Sequence, residues 1–474
     1  MIVTTRSSQT VQILLILGVG CILWHLPCPE MLTHKAWHLF AIFITTILAI
    51  IINPLPIGAT AFTSLCIANA TGVLTVKEAF GAFGESMAWL VVLAFFISRG
   101  IIKTGLGRRI AYFFIAKIGQ TTFGLSYGLI FTEFILAPII PSAAARGGGV
   151  IFPIAKVLSE EYGGTHTSAA KNLTGRFIMQ VCFHSNVITS AMFLTSLVAN
   201  PMIQHFAKQM GIVITWTSWA LGAIIPGLIS LVLLPFIMYM IAPPSVSVVP
   251  DAPEIAANEL KKMGRISHHE LVMALVFVCM LICWVFADVI GIETITTAMV
   301  GCVILVITGV LSWNDVLHEK SAWDTLIWYA VLVVMSGYLT KLGVMEWAGA
   351  NIESLISMEH VTYSIAGLIL FYFYIHYMFA SITAHAAVLY STFLILLLRL
   401  GVPPMMSAMI LAYFATISSG LTHFGTAAAP VFFESGYCSI KDWWRIGFII
   451  CTLNLVVWSL AGSVWWSYLG WWSN

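Results

Sequence analysis

Formal charge is what this chain has least of. Asp, Glu, Lys and Arg make up 9% of its residues, where a soluble domain carries roughly a quarter. The shortfall is filled by apolar side chains, 60% of the total, and the mean hydropathy is +0.96. A water-soluble fold is excluded, and an all-α polytopic membrane protein is expected, because in lipid a helix satisfies its own backbone. Apolar runs of helical length recur along the chain, among them 215–241, which has no charged residue. At roughly 20 residues per crossing, about ten to twelve spans are predicted.

Other absences remove whole function classes. The net charge is +1, so no basic field points to nucleic acid. Nine cysteines are present without a CxxC pair. Cys279 and Cys283, four apart on an apolar helix, read as packing rather than as a disulfide or metal pair. There is no P-loop and no HExxH, which leaves ATP-driven pumping and zinc proteolysis without support. The segment GLSYG (124–128) matches a nucleophile elbow with Ser126 as its serine, but the elbow needs a strand, a sharp turn and a helix, and the flanking sequence is continuously apolar. No enzyme, cofactor or metal is expected.

The N-terminal run after Arg6 reads as a retained membrane helix rather than a signal peptide, since no small-x-small cleavage site follows. Tryptophans 443, 444, 465, 466, 471 and 472 are placed at a membrane interface, where an indole keeps one edge wet. The longest polar stretch, 243–270, holds Lys261, Lys262 and Arg265, and the positive-inside rule puts it in the cytoplasm. His268 and His269 within it are adjacent and do not face one way on a helix, so a solvated linker is expected there.

That linker divides the chain into 1–242 and 271–474, and the second part repeats the first. "ISRGIIKTGLG" is answered by "MSGYLTKLGVM", pairing Ser98 with Ser336 and Gly105 with Gly343 at equal separations. "PSAAARGGGV" (141–150) is answered by "ASITAHAAVL" (380–389), pairing Ser142 with Ser381, Ala144 with Thr383 and Arg146 with His385. "FLTSLVANP" (193–201) is answered by "FGTAAAPVF" (424–432), pairing Thr195 with Thr426. With an odd number of spans per half the repeats would be inverted, the signature of secondary transporters whose site lies where broken helices from both halves meet. Gly147, Gly148 and Gly149 are expected to let a helix stop and restart at membrane depth.

Arg146 is the residue that needs a reason. Between Ile118 and Ala145 the one charged residue is Glu133. An arginine near a helix end can snorkel to the interface, but its twin His385 lies in a run, 361–398, with no formal charge at all. Both halves thus place a candidate cation at the same point of the same motif, and an intramembrane ionisable group is by default functional.

These motifs, with "SAMFLTSLVANPM" and "GLTHFGTAAAPVFFESGYCSIKDWWRIGF", resemble the divalent anion:sodium symporter family. The likeness runs from about "KAWHLFAIFI" (35–44) to the C-terminus and is nearest the exchanger branch of 2-oxoglutarate/malate translocators and citrate/succinate antiporters. It implies a homodimer in the bacterial inner membrane, with a scaffold built from early helices of each half and an elevator-type transport domain. The hairpin and broken helix would fall around 120–200 in the first half, and around 361–398 and 407–433 in the second. The implied activity is sodium-independent exchange of di- and tricarboxylates; a sodium-coupled dicarboxylate symporter and an anion channel remain as alternatives. Family members carry Ser-Asn-Thr at each hairpin tip. Here the tips read Ser142, Ala143, Ala144 and Ser381, Ile382, Thr383, so both asparagines are absent, and Arg146 and His385 are expected to stand in for bound sodium. Thr195 and Thr426 would complete the substrate site, with Asn186, Ser190, His423 and Gly425 as secondary candidates.

Overall fold

The computed structural model describes residues 6–162, 172–353 and 361–472. It is all-helical; the one extended pairing among the described residues is a bridge between Thr121 and Val248. Among those residues nine helices are long and apolar enough to cross a membrane. The shortfall from the expected ten to twelve is one of length. Ile57–Ala70, Thr122–Leu136 and Thr294–Ile307 are apolar but stop after 14, 15 and 14 residues.

After an initial helix, Arg6–His25, one succession of elements runs twice. His34–Ile52, Ile57–Ala70, Val76–Phe80, Ser86–Thr104 and Leu106–Ile118 are matched in order by His268–Val285, Thr294–Ile307, Trp313–Leu317, Lys320–Lys341 and Val344–Glu353. Both five-residue helices start with a reciprocal cap, Thr75 with Glu78 and Ser312 with Asp315. A hairpin, a broken helix and a long closing helix follow in each half, the last being Trp216–Ile241 and Ile440–Tyr468. Those two closing helices pack on each other, and Trp216–Ile241 also packs on Leu173–Met192. Lys320–Lys341 packs instead on Ile57–Ala70 and Ser86–Thr104. The candidate site lies between these two groups.

Two expectations are corrected by the fold. The triple glycine does not break a helix: Gly147–Ile151 forms one wide π turn running straight into Phe152–Glu161, with Gly147 at φ −62° and ψ −56°. The matching turn, Ala386–Tyr390, has no glycine. What Gly147 and Gly148 provide is room, since a Cβ on them would come within 2.9 Å of Phe432 and 3.2 Å of Val431. The linker is largely solvent-exposed, His268 and His269 included, and it is ordered. It forms a helix, Ala252–Met263, against Leu106–Ile118. Arg109 fastens it, donating to both Glu270 carboxylate oxygens at 2.8 and 3.1 Å and to the carbonyl of Gly264 at 3.0 Å. Finally, Trp443 and Trp466 are fully buried rather than interfacial, and the Trp466 indole donates to the Gly222 carbonyl at 2.8 Å.

Ser126 lies inside Thr122–Leu136 and donates to the carbonyl one turn back at 2.8 Å. It is an ordinary helix serine.

Candidate functional site

Each hairpin reverses in an extended stretch and then restarts as a helix. In the first, the incoming helix ends at Leu136, and Pro138 and Pro141 follow, where a proline has no N–H to continue the helix ladder. Ser142 is extended, at φ −110° and ψ 110°, and its hydroxyl accepts from the Ala145 N–H at 3.1 Å, capping the new helix. The second reversal has no proline. Imidazoles hold it: His385 Nε2 donates to the Tyr372 carbonyl at 3.0 Å and His376 Nε2 to the Gly425 carbonyl at 2.9 Å. Ser381 is extended at φ −155° and ψ 133°, and its side chain makes no capping bond.

The broken helices face these tips. Leu173–Met192 gives way to a short turn, Leu194–Ser196, before Ala199–Gln209 begins. Carbonyls freed by the break are taken up by side chains, as a membrane interior demands. Asn200 Nδ2 donates to Ser190 and Phe193 at 2.9 Å each, and Ser196 Oγ to Ser190 at 2.7 Å. In the second half Pro404–Ile417 loosens through Ser418–Leu421 and resumes at Ala429–Phe433.

Tips, breaks and one wall of the opposing group enclose a cavity of about 200 Å³, below the roughly 300–1,000 Å³ of drug-sized sites. The first tip contributes Pro141, Ser142 and Ala143, and the second Ser381, Ile382, Thr383 and Ala384. The breaks contribute Leu197 and Val198, and Thr426 and Ala427. The far wall is Thr325, Trp328 and Leu332, with Ile50, Ile57 and Phe95.

No charged side chain among the described residues lines this cavity. Its polarity has two other sources. Three helices begin at or beside its wall, at Ala143, Ala199 and Ile382, and a helix start carries unpaired N–H groups and the positive end of the helix dipole. Four hydroxyls, those of Ser381, Thr383, Thr426 and Thr325, have no hydrogen-bond partner among the described residues. Other buried helix hydroxyls, such as those of Thr46, Ser64, Thr132 and Ser159, bond back one turn, although those of Thr297, Ser336 and Ser391 also lack a partner. Such an arrangement can hold a small anion with hydrogen bonds and oriented dipoles.

The structure therefore brings Ser142, Ala143, Ser381, Ile382, Thr383 and Thr426 together at one cavity and places the other candidates elsewhere. Ala144 is outside the lining. Arg146 lies behind the first tip, fully buried, and ion-paired with Glu133, itself fully buried. Its remaining N–H groups go to the carbonyls of Ile140 and Ser196, at 2.6 and 2.9 Å, and to Ser190 Oγ at 2.7 Å. Asn186 joins the same cluster, donating to Glu133 at 2.8 Å. Thr195 donates to the Pro138 carbonyl and accepts from the Trp216 indole at 3.1 Å. His385 is enclosed by the rings of Tyr372, His376 and Phe379. The Gly425 carbonyl is occupied by His376, and His423 accepts from the Trp444 indole at 3.1 Å. Thr325 and Trp328, not anticipated from the sequence, have no twin in a recognised motif. The signal that was present is their i, i+3 spacing with Leu332 on one helix face.

Comparison with known proteins gives these elements a context. The sodium:sulfate symporter transmembrane region matches residues 7–472. YflS of Bacillus subtilis (strain 168), provisionally named a malate transporter, is 44% identical over 469 residues, 98% of either chain. The chloroplastic Dicarboxylate transporter 1 of Arabidopsis thaliana is 42% identical over 459 residues, covering 96% of this chain and 82% of its own. Among solved structures, the YdaH transporter of Alcanivorax borkumensis aligns over 98% of both chains with a TM-score of 0.54 at 14% identity, a likeness of fold.

Proposed function

The chain belongs to the sodium:sulfate symporter family, the divalent anion:sodium symporters its hairpin motifs resemble, and from that premise we propose that it exchanges small di- and tricarboxylates, of the malate, succinate, 2-oxoglutarate and citrate class, without sodium. It is a membrane transporter and not an enzyme. The observation that carries the substrate reading is the cavity itself: about 200 Å³, three helix N-termini at or beside its wall, four unengaged hydroxyls and no charged side chain among the described residues. Carboxylates at the tips would accept from Ser142, Ser381 and Thr383 and from the free backbone N–H groups, and Thr426 would close the site from the break.

Sodium independence is supported by who occupies the oxygen atoms around the tips. A sodium ion would need a cage of carbonyl and carboxylate oxygens. At the first tip, N–H groups of Arg146 already take the carbonyls of Ile140 and Ser196 and an oxygen of Glu133. At the second, His385 and His376 take the carbonyls of Tyr372 and Gly425. The tip asparagines that would add further oxygens are Ala143 and Ile382 here. An empty cavity ringed by helix N-termini, with no ion to balance them, is costly to move across a bilayer, so the return step should require a second anion.

In this reading the hairpins and broken helices move as an elevator against the helices that carry the far wall. The two repeats are inverted, and the protein is a homodimer in the bacterial inner membrane. The test is uptake of radiolabelled malate into proteoliposomes with sodium replaced by choline, with and without internal dicarboxylate. Exchange requires uptake only into loaded vesicles, unaffected by the replacement. Sodium-dependent uptake into empty vesicles would refute it, and leak-like equilibration without transient counterflow would indicate a channel.

A further inference from the structure

The cavity has two kinds of polar wall. Its tip and break side offers Ser142, Ser381, Thr383 and Thr426 together with three helix N-termini. That is enough to receive the charged ends of a substrate. The opposite side is apolar, with Ile50, Ile57, Phe95 and Leu332, except for two groups one turn apart on Lys320–Lys341, Thr325 and Trp328.

Both groups are unengaged. Thr325 is 5% exposed and, unlike Thr340 on the same helix, does not donate to the carbonyl one turn back. Trp328 is 8% exposed, and among the described residues its indole N–H has no acceptor. Trp219, Trp284, Trp458 and Trp466 donate to an oxygen, while the fully buried Trp443 has no acceptor among the described residues. Neither polar atom is sealed inside the protein, so both stand open to a ligand or to water in the cavity that their residues line. Two such groups on one cavity wall are most simply accounted for by a ligand atom that satisfies both.

Resting on the carboxylate reading above, we propose that Thr325 and Trp328 form a specificity site for a single oxygen substituent on the carbon chain between the substrate's carboxylates, a hydroxyl or a keto oxygen. The chemistry fits that group. The indole only donates, the threonine hydroxyl donates or accepts, and a hydroxyl or keto oxygen can accept from both. A carboxylate placed there would lie among apolar side chains away from every helix N-terminus. An unsubstituted chain would leave the two donors to a water molecule or to nothing, and a site built to hydrogen-bond an oxygen discriminates against the analogue that lacks it.

The experiment is competitive counterflow in proteoliposomes, reading the ratio of apparent affinities for malate and succinate within each preparation, so that the amount of folded protein cancels. The full chain should prefer malate by about tenfold, the value of one hydrogen bond of this kind. In Thr325→Val, which keeps the shape and loses the hydroxyl, and in Trp328→Phe, which keeps a ring and loses the N–H, the ratio should move toward one. A fall in either variant supports the assignment. A ratio that survives both substitutions overturns it, as does an unsubstituted protein that does not distinguish the two acids. A protein that moves neither acid overturns the carboxylate reading itself, and this inference with it, which is a different result from transport with an unchanged ratio.

Discussion

Glu133 and Arg146 lie 13 residues apart on opposite arms of the first hairpin and meet as a fully buried ion pair. The guanidinium then reaches on to the carbonyl of Ile140 on the reversal and of Ser196 on the first helix break. One side chain thus ties together the two irregular segments that shape half of the cavity. Removing either charge strands the other in a dry interior, at a cost of about 3–5 kcal/mol, whereas replacing both by apolar residues of similar volume is often close to neutral. Arg146→Met and Glu133→Leu should each lower the thermal midpoint of the detergent-solubilised protein strongly, and the double variant should recover most of the loss. A double variant as unstable as the sum of the singles would mean that the pair's charge is not what matters.

The two tips should respond unequally to loss of a hydroxyl. Thr383 has no internal partner, and replacing it by Ala removes one hydrogen bond to a charged carboxylate. Apparent affinity for malate should fall about tenfold, roughly 1.5 kcal/mol. The Ser142 hydroxyl is already used, accepting from the Ala145 N–H. Ser142→Ala therefore loses a helix cap as well, worth about 1 kcal/mol, and should lower the thermal midpoint where Thr383→Ala does not. An unchanged affinity in Thr383→Ala would remove that residue from the site.

What the sequence disclosed follows from what repeats. Hairpins, breaks and closing helices were legible because "PSAAARGGGV" and "ASITAHAAVL" place the same turn chemistry at matching positions, and Ser142, Ser381, Thr383 and Thr426 follow directly from that register. Arg146 stands out by its isolation, and no motif marks its partner, although Glu133 is the one other charge in the same stretch. A carboxylate and a guanidinium that are each alone in apolar sequence have strong cause to find each other. Thr325 and Trp328 were not legible. They belong to no motif, and only the fold brings their helix face to the tips.

The glycines give a prediction opposite to the one their sequence suggests. If Gly147, Gly148 and Gly149 served to break a helix, all three would resist replacement alike. Their backbone is helical, and they differ instead in what stands opposite. A Cβ on Gly147 would press on the Phe432 ring at 2.9 Å, whereas on Gly149 its nearest neighbour is the flexible end of Ile102 at 3.6 Å. Gly147→Ala should disturb the contact between the first hairpin and Ala429–Phe433 and reduce exchange. Gly149→Ala should keep exchange and raise the thermal midpoint, since Ala gains about 0.5–1 kcal/mol over Gly in a helix. Equal loss in both variants would restore the helix-breaking role.

The linker offers a test that needs no transport. Arg109 holds the end of Ala252–Met263 against Leu106–Ile118 by donating to the carbonyls of Met263 and Gly264 and to the carboxylate of Glu270. Lys261, Lys262 and Arg265 sit beside this clasp with exposed or half-exposed side chains, and a protease can cut there only when the backbone is released from its helix and carbonyl contacts. Arg109→Ala removes four hydrogen bonds, two of them forming the ion pair to a nearly buried carboxylate, worth about 1–3 kcal/mol together after partial exposure is allowed for. Limited trypsinolysis should therefore split the variant into two halves near residue 263 about ten times faster than the unsubstituted chain, the rate following the population of the opened linker. Equal cleavage rates would mean that the linker opens without releasing Arg109, and that the packing of its helix alone sets its exposure.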